Sequence, residues 1–161
     1  MNASHEVQRT GYLRRLESGK DRCDVVKVIT GLKRCGKSTL IRQYIQKLKE
    51  TADENAIVYI NLESREAKSI ETYKDLNDYL ASKINPAKRA YVFLDEIQRV
   101  SGWEKSINSL MVDYDADIYI TGSNAYILSS ELSTYLSGRY VEINMLPLSF
   151  KEYLELHPPS G

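Results

Sequence analysis

"VVKVITGLKRCGKSTLIRQYI", residues 25–45, changes character twice. A run of small and β-branched apolar side chains stops at Gly31. Gly31 and Gly36 then bracket Leu32, Lys33, Arg34 and Cys35. Lys37, Ser38 and Thr39 follow, and the apolar spacing shifts: Leu40, Ile41, Tyr44, Ile45 and Leu48 fall on one face of a helix. Residues 25–30 form a nearly continuous apolar run, which suits a strand buried on both faces of a sheet. The segment therefore reads as strand, glycine loop and helix. Three cationic side chains, Lys33, Arg34 and Lys37, gather where the strand ends.

The eight residues Gly31-Leu32-Lys33-Arg34-Cys35-Gly36-Lys37-Ser38 match the phosphate-loop pattern G-x-x-x-x-G-K-[ST], the Walker A motif, at every fixed position. Phosphates need many donors at close range. Glycines permit backbone conformations that turn successive N–H groups inward, and a helix start adds free N–H groups and the positive end of its dipole. Lys37 would reach the β- and γ-phosphates, and the Ser38 hydroxyl would ligate Mg²⁺. Residues 31–39, Leu32, Cys35 and Thr39 included, form the expected nucleotide-binding stretch. Lys33 and Arg34 either lie near the phosphates or face solvent, and Arg34 could instead act between subunits. Cys35 is a thiol in positive potential, or simply a small residue that a tight loop tolerates.

Working outward, residues 56–61 (AIVYIN) read as a second strand. Residues 69–84 read as a helix with Ile70, Tyr73, Leu76, Leu80 and Ile84 on one side and Pro86 beyond it. Residues 91–94 are a third strand, ending in Asp95-Glu96. Trp103, Ile107, Leu110, Met111 and Tyr114 mark another helix. Residues 118–121 are a fourth strand, ending in Gly122-Ser123-Asn124. Residues 126–136 read as helical. Residues 140–145 alternate, with Val141, Ile143 and Met145 on one face, as in an edge strand. Ser149-Phe150-Lys151-Glu152 has the form of a capping box. Strands alternating with helices predict βαβ units and a parallel sheet in an α/β fold. In such sheets ligands bind beyond the carboxyl ends of the strands. Three strands end there in polar groups: 31–38, Asp95-Glu96 and Ser123-Asn124.

"AYVFLDEIQRV" sets two acids at a buried strand's tip, where a bare carboxylate is costly unless a cation or donor is near. Asp95 suits the Mg²⁺ shell, through a water or the Ser38 hydroxyl. Glu96 can polarise a water for attack on the γ-phosphate. Ser123 and Asn124 could contact the γ-phosphate and that water, or merely form a turn and helix cap. Arg139 could stabilise transferred phosphoryl charge, including that of a neighbouring subunit, or pair with Glu131 or Glu142.

The whole chain of 161 residues is enough for one domain, with a polar residue 1–11 segment expected to be flexible. Lys+Arg and Asp+Glu are 22 each, and no aromatic-basic cluster occurs, so nucleic-acid binding has no support here. No apolar run approaches the roughly 20 residues needed to span a bilayer. Cys23 and Cys35 make neither a disulfide framework nor a metal cluster, and the cytoplasm is the default compartment.

Together these stretches resemble the AAA+ ATPases. More narrowly, they resemble the prokaryotic AAA ATPase family often joined to a C-terminal domain of unknown function. The likeness rests on "VVKVITGLKRCGKSTLIRQY", "YVFLDEIQRVSGWEKSINSL", "IYITGSNAYILSSELSTYLSGRY" and "INMLPLSFKEYL", and runs from about residue 12 to 156. It implies a P-loop three-layer sandwich with a five-stranded parallel sheet of order 5-1-4-3-2. It also implies ATP as the nucleotide, Glu96 as catalytic base following the Walker B Asp95, and Ser123 or Asn124 as sensor. Arg139 matches a recurring arginine of the family. The sequence stops at "KEYLELHPPSG", just after the fifth strand, where such proteins continue into a helical lid and a further domain. The expectation is an ATPase core whose partners are ATP, its own missing C-terminal region and copies of itself. Two readings compete with a Mg²⁺-dependent ATPase: a nucleotide-gated interaction module with little turnover, and a small-molecule kinase, for which no acceptor pocket or lid is visible.

Overall fold

The apolar run that opens the phosphate-loop segment forms β1 (Val26–Thr30), buried at all five positions. In the computed structural model, which describes residues 10–123, 134 and 136–146, four further strands join it. They are β2 (Ile57–Asn61), β3 (Ala90–Asp95), β4 (Ala116–Gly122) and β5 (Tyr140–Asn144). All four strand pairings are parallel, and the order is β2-β3-β4-β1-β5. Counted from the opposite edge this is 5-1-4-3-2, the order that the resemblance implies. Central β1, β3 and β4 are buried throughout, while edge strand β2 alternates and edge strand β5 is buried only at Ile143.

Alternate strand residues serve two cores, because successive side chains point to opposite faces. One face carries Val28, Val92, Leu94, Ile118 and Ile120 against helices α3 (Tyr73–Lys83) and α4 (Trp103–Asp113), through Leu76, Leu80, Ile107 and Leu110. The other carries Ile29, Phe93, Tyr119 and Ile143 against α1 (Thr10–Ser18) and α2 (Lys37–Leu48), through Leu13, Leu16, Leu40, Ile41 and Tyr44. The result is three layers.

Three elements differ from the sequence expectation. Helix α1 went unplaced, because its two buried residues, Leu13 and Leu16, give too short an apolar stripe among charges. Helix α3 starts at Tyr73 rather than 69: the Thr72 hydroxyl accepts from the Asp75 N–H, and the Asp75 carboxylate accepts from the Thr72 N–H. Ile70 lies before that cap yet is still buried, so its apolar character signals burial and not helix. In β5, Ile143 and Met145 are buried but Val141 is 49% exposed, near the start of an edge strand. The helix expected over 126–136, apart from Thr134 and Leu136, and the capping box at 149–152 lie outside the described residues.

The sheet's N-terminal end holds a buried ion pair. Lys27 Nζ of β1 donates to Asp117 Oδ1 of β4 at 2.5 Å, and to the Arg22 carbonyl at 2.6 Å. Asp117 Oδ2 accepts from the Asp21 N–H and the Tyr119 hydroxyl, both at 2.9 Å. These bonds tie the α1–β1 connection to the sheet end opposite the glycine loop.

Candidate nucleotide site

The loop between β1 and α2 is built by backbone constraint. Gly36 precedes the first turn of α2 with φ of +99°, a region that L side chains rarely adopt. At Gly31 a side chain has no room: a Cβ would meet Cys35 Sγ at 2.6 Å and the Met145 carbonyl oxygen at 2.8 Å. Met145 N–H donates to the Thr30 carbonyl at 2.7 Å, so the end of β5 braces the start of the loop. Arg34 also takes a left-handed conformation, φ +67°. The loop ends on the helix start that the sequence predicts, where free N–H groups and the helix dipole favour an anion.

Lys37 is 4% exposed. Its ammonium donates to the Gly31 carbonyl at 2.6 Å and the Leu32 carbonyl at 3.2 Å, and stands 3.8 Å from Glu96 Oε1. An ammonium held by two carbonyls and a carboxylate is poised inside the loop's curve rather than extended into solvent. Ser38 Oγ donates to Asp95 Oδ2 at 2.6 Å. The phosphate loop and the acidic strand end are therefore one site, brought together by the β3-β4-β1 order.

The Asp95 carboxylate, fully buried, is held by three hydroxyls. Besides Ser38, Tyr59 donates to Oδ2 at 2.9 Å and Thr121 donates to Oδ1 at 2.5 Å. Burial, followed by the neighbouring Asp95 charge, pushes the Tyr59 phenol well up, so it stays a donor. Thr121 does double duty, since its oxygen also accepts from the Glu96 N–H at 2.9 Å. Glu96 itself has φ of +59°, an uncommon conformation for a residue with a side chain. The Thr121 bond fixes that turn. Gln98 Nε2 in turn donates to Glu96 Oε2 at 2.6 Å.

Other predicted positions divide. Ser123 follows β4 directly and is half-buried; β4 lies between β1 and β3, so it stands at the strand ends between loop and acids. Asn124 lies outside the described residues. Leu32, Lys33 and Arg34 are exposed, and Lys33 pairs with Glu63 at 3.3 Å. Cys35 is buried beneath the loop. Thr39 Oγ1 accepts from Arg42 at 3.2 Å. Arg139 is not brought to the loop within one chain. It precedes β5 at the opposite end of the parallel sheet, its carbonyl accepting from Val26 N–H at 3.0 Å. Its guanidinium donates to the Leu136 carbonyl at 3.1 Å and Asn108 Oδ1 at 3.3 Å, not to Glu142.

Tyr59, Thr121 and Gln98 were not picked out from sequence. Thr121 had a signal, being the last polar side chain before Gly122 on the strand next to β3. Tyr59 had none, since its reach to Asp95 depends on tertiary placement.

A glycine loop between β1 and α2, a buried lysine and a serine bonded to a strand-end aspartate define a P-loop nucleotide-binding domain. The family described as AAA domain matches residues 24–154, and this chain belongs to it. An uncharacterized protein of Haemophilus influenzae is 46% identical over 151 residues, covering 92% of this chain and 37% of that protein. An uncharacterized protein of Methanocaldococcus jannaschii is 36% identical over 130 residues, covering 81% of this chain and 28% of its own. The chain thus spans about a third of the length of these relatives. Among solved structures, a DNA polymerase III gamma subunit-related protein from Thermotoga maritima superposes with a TM-score of 0.56 at 12% identity, over 90% of this chain and 47% of that one. That likeness is one of fold. The chain is an AAA+ ATPase-type core with a nucleotide-binding architecture. No helix among the described residues is long and apolar enough to cross a membrane.

Proposed function

We propose that this chain is a Mg²⁺-dependent ATP-binding and ATP-hydrolysing core domain, residues 1–161, of a longer prokaryotic protein. The observation that carries this reading is the Ser38–Asp95 bond at 2.6 Å beneath a complete phosphate loop. Hard oxygen donors there suit Mg²⁺, and among the described residues no group of three or more His, Cys, Asp or Glu could cage a metal alone. Ser38 and Asp95 would hold such a cation together with substrate phosphates. When bound with ATP, the Mg²⁺ would supply charge neutralisation for the transferring phosphoryl group.

The chain's own residues supply the rest. Loop N–H groups and the start of α2 bind the phosphates. Lys37 exchanges its carbonyl partners for phosphate oxygens. Glu96 accepts a proton from the attacking water as that oxygen bonds to the γ-phosphorus and the bond to the leaving ADP oxygen breaks. Ser123, at the strand ends between these groups, contacts the γ-phosphate; Asn124 shares this assignment by sequence. Because Arg139 lies at the far end of the sheet, its role in phosphoryl transfer would be in a neighbouring copy. Mixing Arg139→Ala with Lys37→Ala protein tests this: recovered turnover supports it and none counts against it.

Glu96→Gln tests the hydrolytic reading. Magnesium-ATP binding is retained while phosphate release falls roughly 100-fold, the lower range for a general base. Equal turnover in both proteins would contradict the assignment. Since relatives extend well beyond this segment, the second reading is a nucleotide-gated module whose state is sensed by that remainder. Nucleotide-dependent contacts without turnover would favour it.

A further inference from the structure

Gln98 sits in the short 3-10 turn Ile97–Arg99, immediately after Glu96. Its Nε2 donates to Glu96 Oε2 at 2.6 Å. The orientation of the amide is dictated by its partner. An ionised carboxylate only accepts, so the NH₂ end must face it. The opposite end, Gln98 Oε1, is buried and has no hydrogen-bond partner among the described residues. A buried carbonyl oxygen in that condition lowers stability, and a leucine of similar size would not incur the cost. The amide is thus held at a stability loss that its bond to Glu96 accounts for.

The surroundings of Glu96 show what that bond controls. Its N–H is fixed by Thr121 and its backbone is left-handed, which sets where the side chain leaves the chain. Of the two carboxylate oxygens, Oε1 faces Lys37 Nζ at 3.8 Å and Oε2 is held by Gln98. Once Lys37 turns to phosphate, Gln98 is the remaining side-chain restraint on the carboxylate among the described residues. We propose that Gln98 is a positioning residue for ATP hydrolysis: it anchors Glu96 through Oε2 and leaves Oε1 to take the proton of the attacking water. This rests on the reading of Glu96 as the base.

Phosphate release at varied magnesium-ATP concentrations, with thermal melting, tests it on the parent, Gln98→Leu, Gln98→Glu and Glu96→Gln. Gln98→Leu removes the donor. Gln98→Glu keeps the side-chain shape but sets a second carboxylate against Glu96. The expected order of kcat is parent, then Gln98→Leu about 10-fold lower, then Gln98→Glu lower still, with KM within about twofold. Unchanged kcat in both Gln98 variants, with turnover lost in Glu96→Gln, overturns the role of Gln98 alone. A lower melting point with unchanged kcat does the same, by showing a merely structural residue. No turnover in the parent, or full turnover in Glu96→Gln, overturns the hydrolytic reading beneath it.

Discussion

Ser38 Oγ donates to Asp95 Oδ2 at 2.6 Å, joining the first turn of α2 to the last residue of β3. A hydroxyl and a carboxylate so arranged present oxygens from two elements to one small volume, as Mg²⁺ requires. Lys37 and Glu96, each adjacent in sequence to one of the pair, approach to 3.8 Å. One contact between two elements therefore registers four candidate side chains.

Thr121 joins the proposed metal-site acid to the proposed base. It donates to Asp95 and accepts from the Glu96 N–H, and it is fully buried. Thr121→Val keeps the shape and removes both bonds. It is expected to destabilise the fold by about 1–3 kcal/mol, since a buried N–H and carboxylate oxygen lose a partner. Turnover should fall more than ATP affinity. Urea unfolding together with steady-state kinetics checks this; a variant with parental stability and kcat would contradict it.

The Lys27–Asp117 pair predicts a different signature. With side chains 3% and 0% exposed, removing only Lys27 strands a buried carboxylate. Lys27→Met should cost about 3–5 kcal/mol. Replacing both, as Lys27→Met with Asp117→Leu, should cost less than that single change, since the uncompensated charge is gone. Denaturant midpoints of the parent, the single and the double variant decide it; a double variant as destabilised as Lys27→Met, or more so, would refute the argument.

Acid sensitivity has a named contributor. The Tyr91 hydroxyl, donating to Asp21 Oδ1 at 2.6 Å, is the main cause holding the Asp21 carboxyl below its ordinary value, against a partial desolvation that raises it; Arg89 assists. A carboxyl depressed in the fold contributes stability fully above its unfolded pKa of about 3.9, and loses it as pH falls through the lower folded value. Tyr91→Phe should therefore lose less stability than the parent between about pH 5 and pH 3. Parallel losses in urea titrations at those pH values would show that the contact does not matter.

The phosphate loop and the Asp95-Glu96 strand end were legible from residues 25–45 and 91–96, because local pattern and local chemistry coincide there, whereas the strand order came only from the resemblance to the AAA+ ATPases. What sequence did not reveal depends on partners far along the chain. Lys27 reads as a blemish in an apolar strand until Asp117, ninety positions away, is placed beside it. Tyr59 reads as an ordinary strand aromatic until its hydroxyl meets Asp95. Gln98 reads as the polar end of a turn until the left-handed Glu96 folds back within its reach. The start of α3 was legible and was missed: Thr72 with Asp75 three residues on is a capping signal that outweighs the apolar character of Ile70. Arg139 was read as preceding the predicted edge strand, which in a parallel sheet already sets it opposite the phosphate loop; its role in phosphoryl transfer was assigned by motif.

The central claim is that Lys37 belongs to a phosphate site. Isothermal titration of magnesium-ATP into the parent and into Lys37→Ala tests it most directly. Binding by the parent with one-to-one stoichiometry, abolished in a folded Lys37→Ala, is the result expected. Equal affinity in the two proteins would contradict the account.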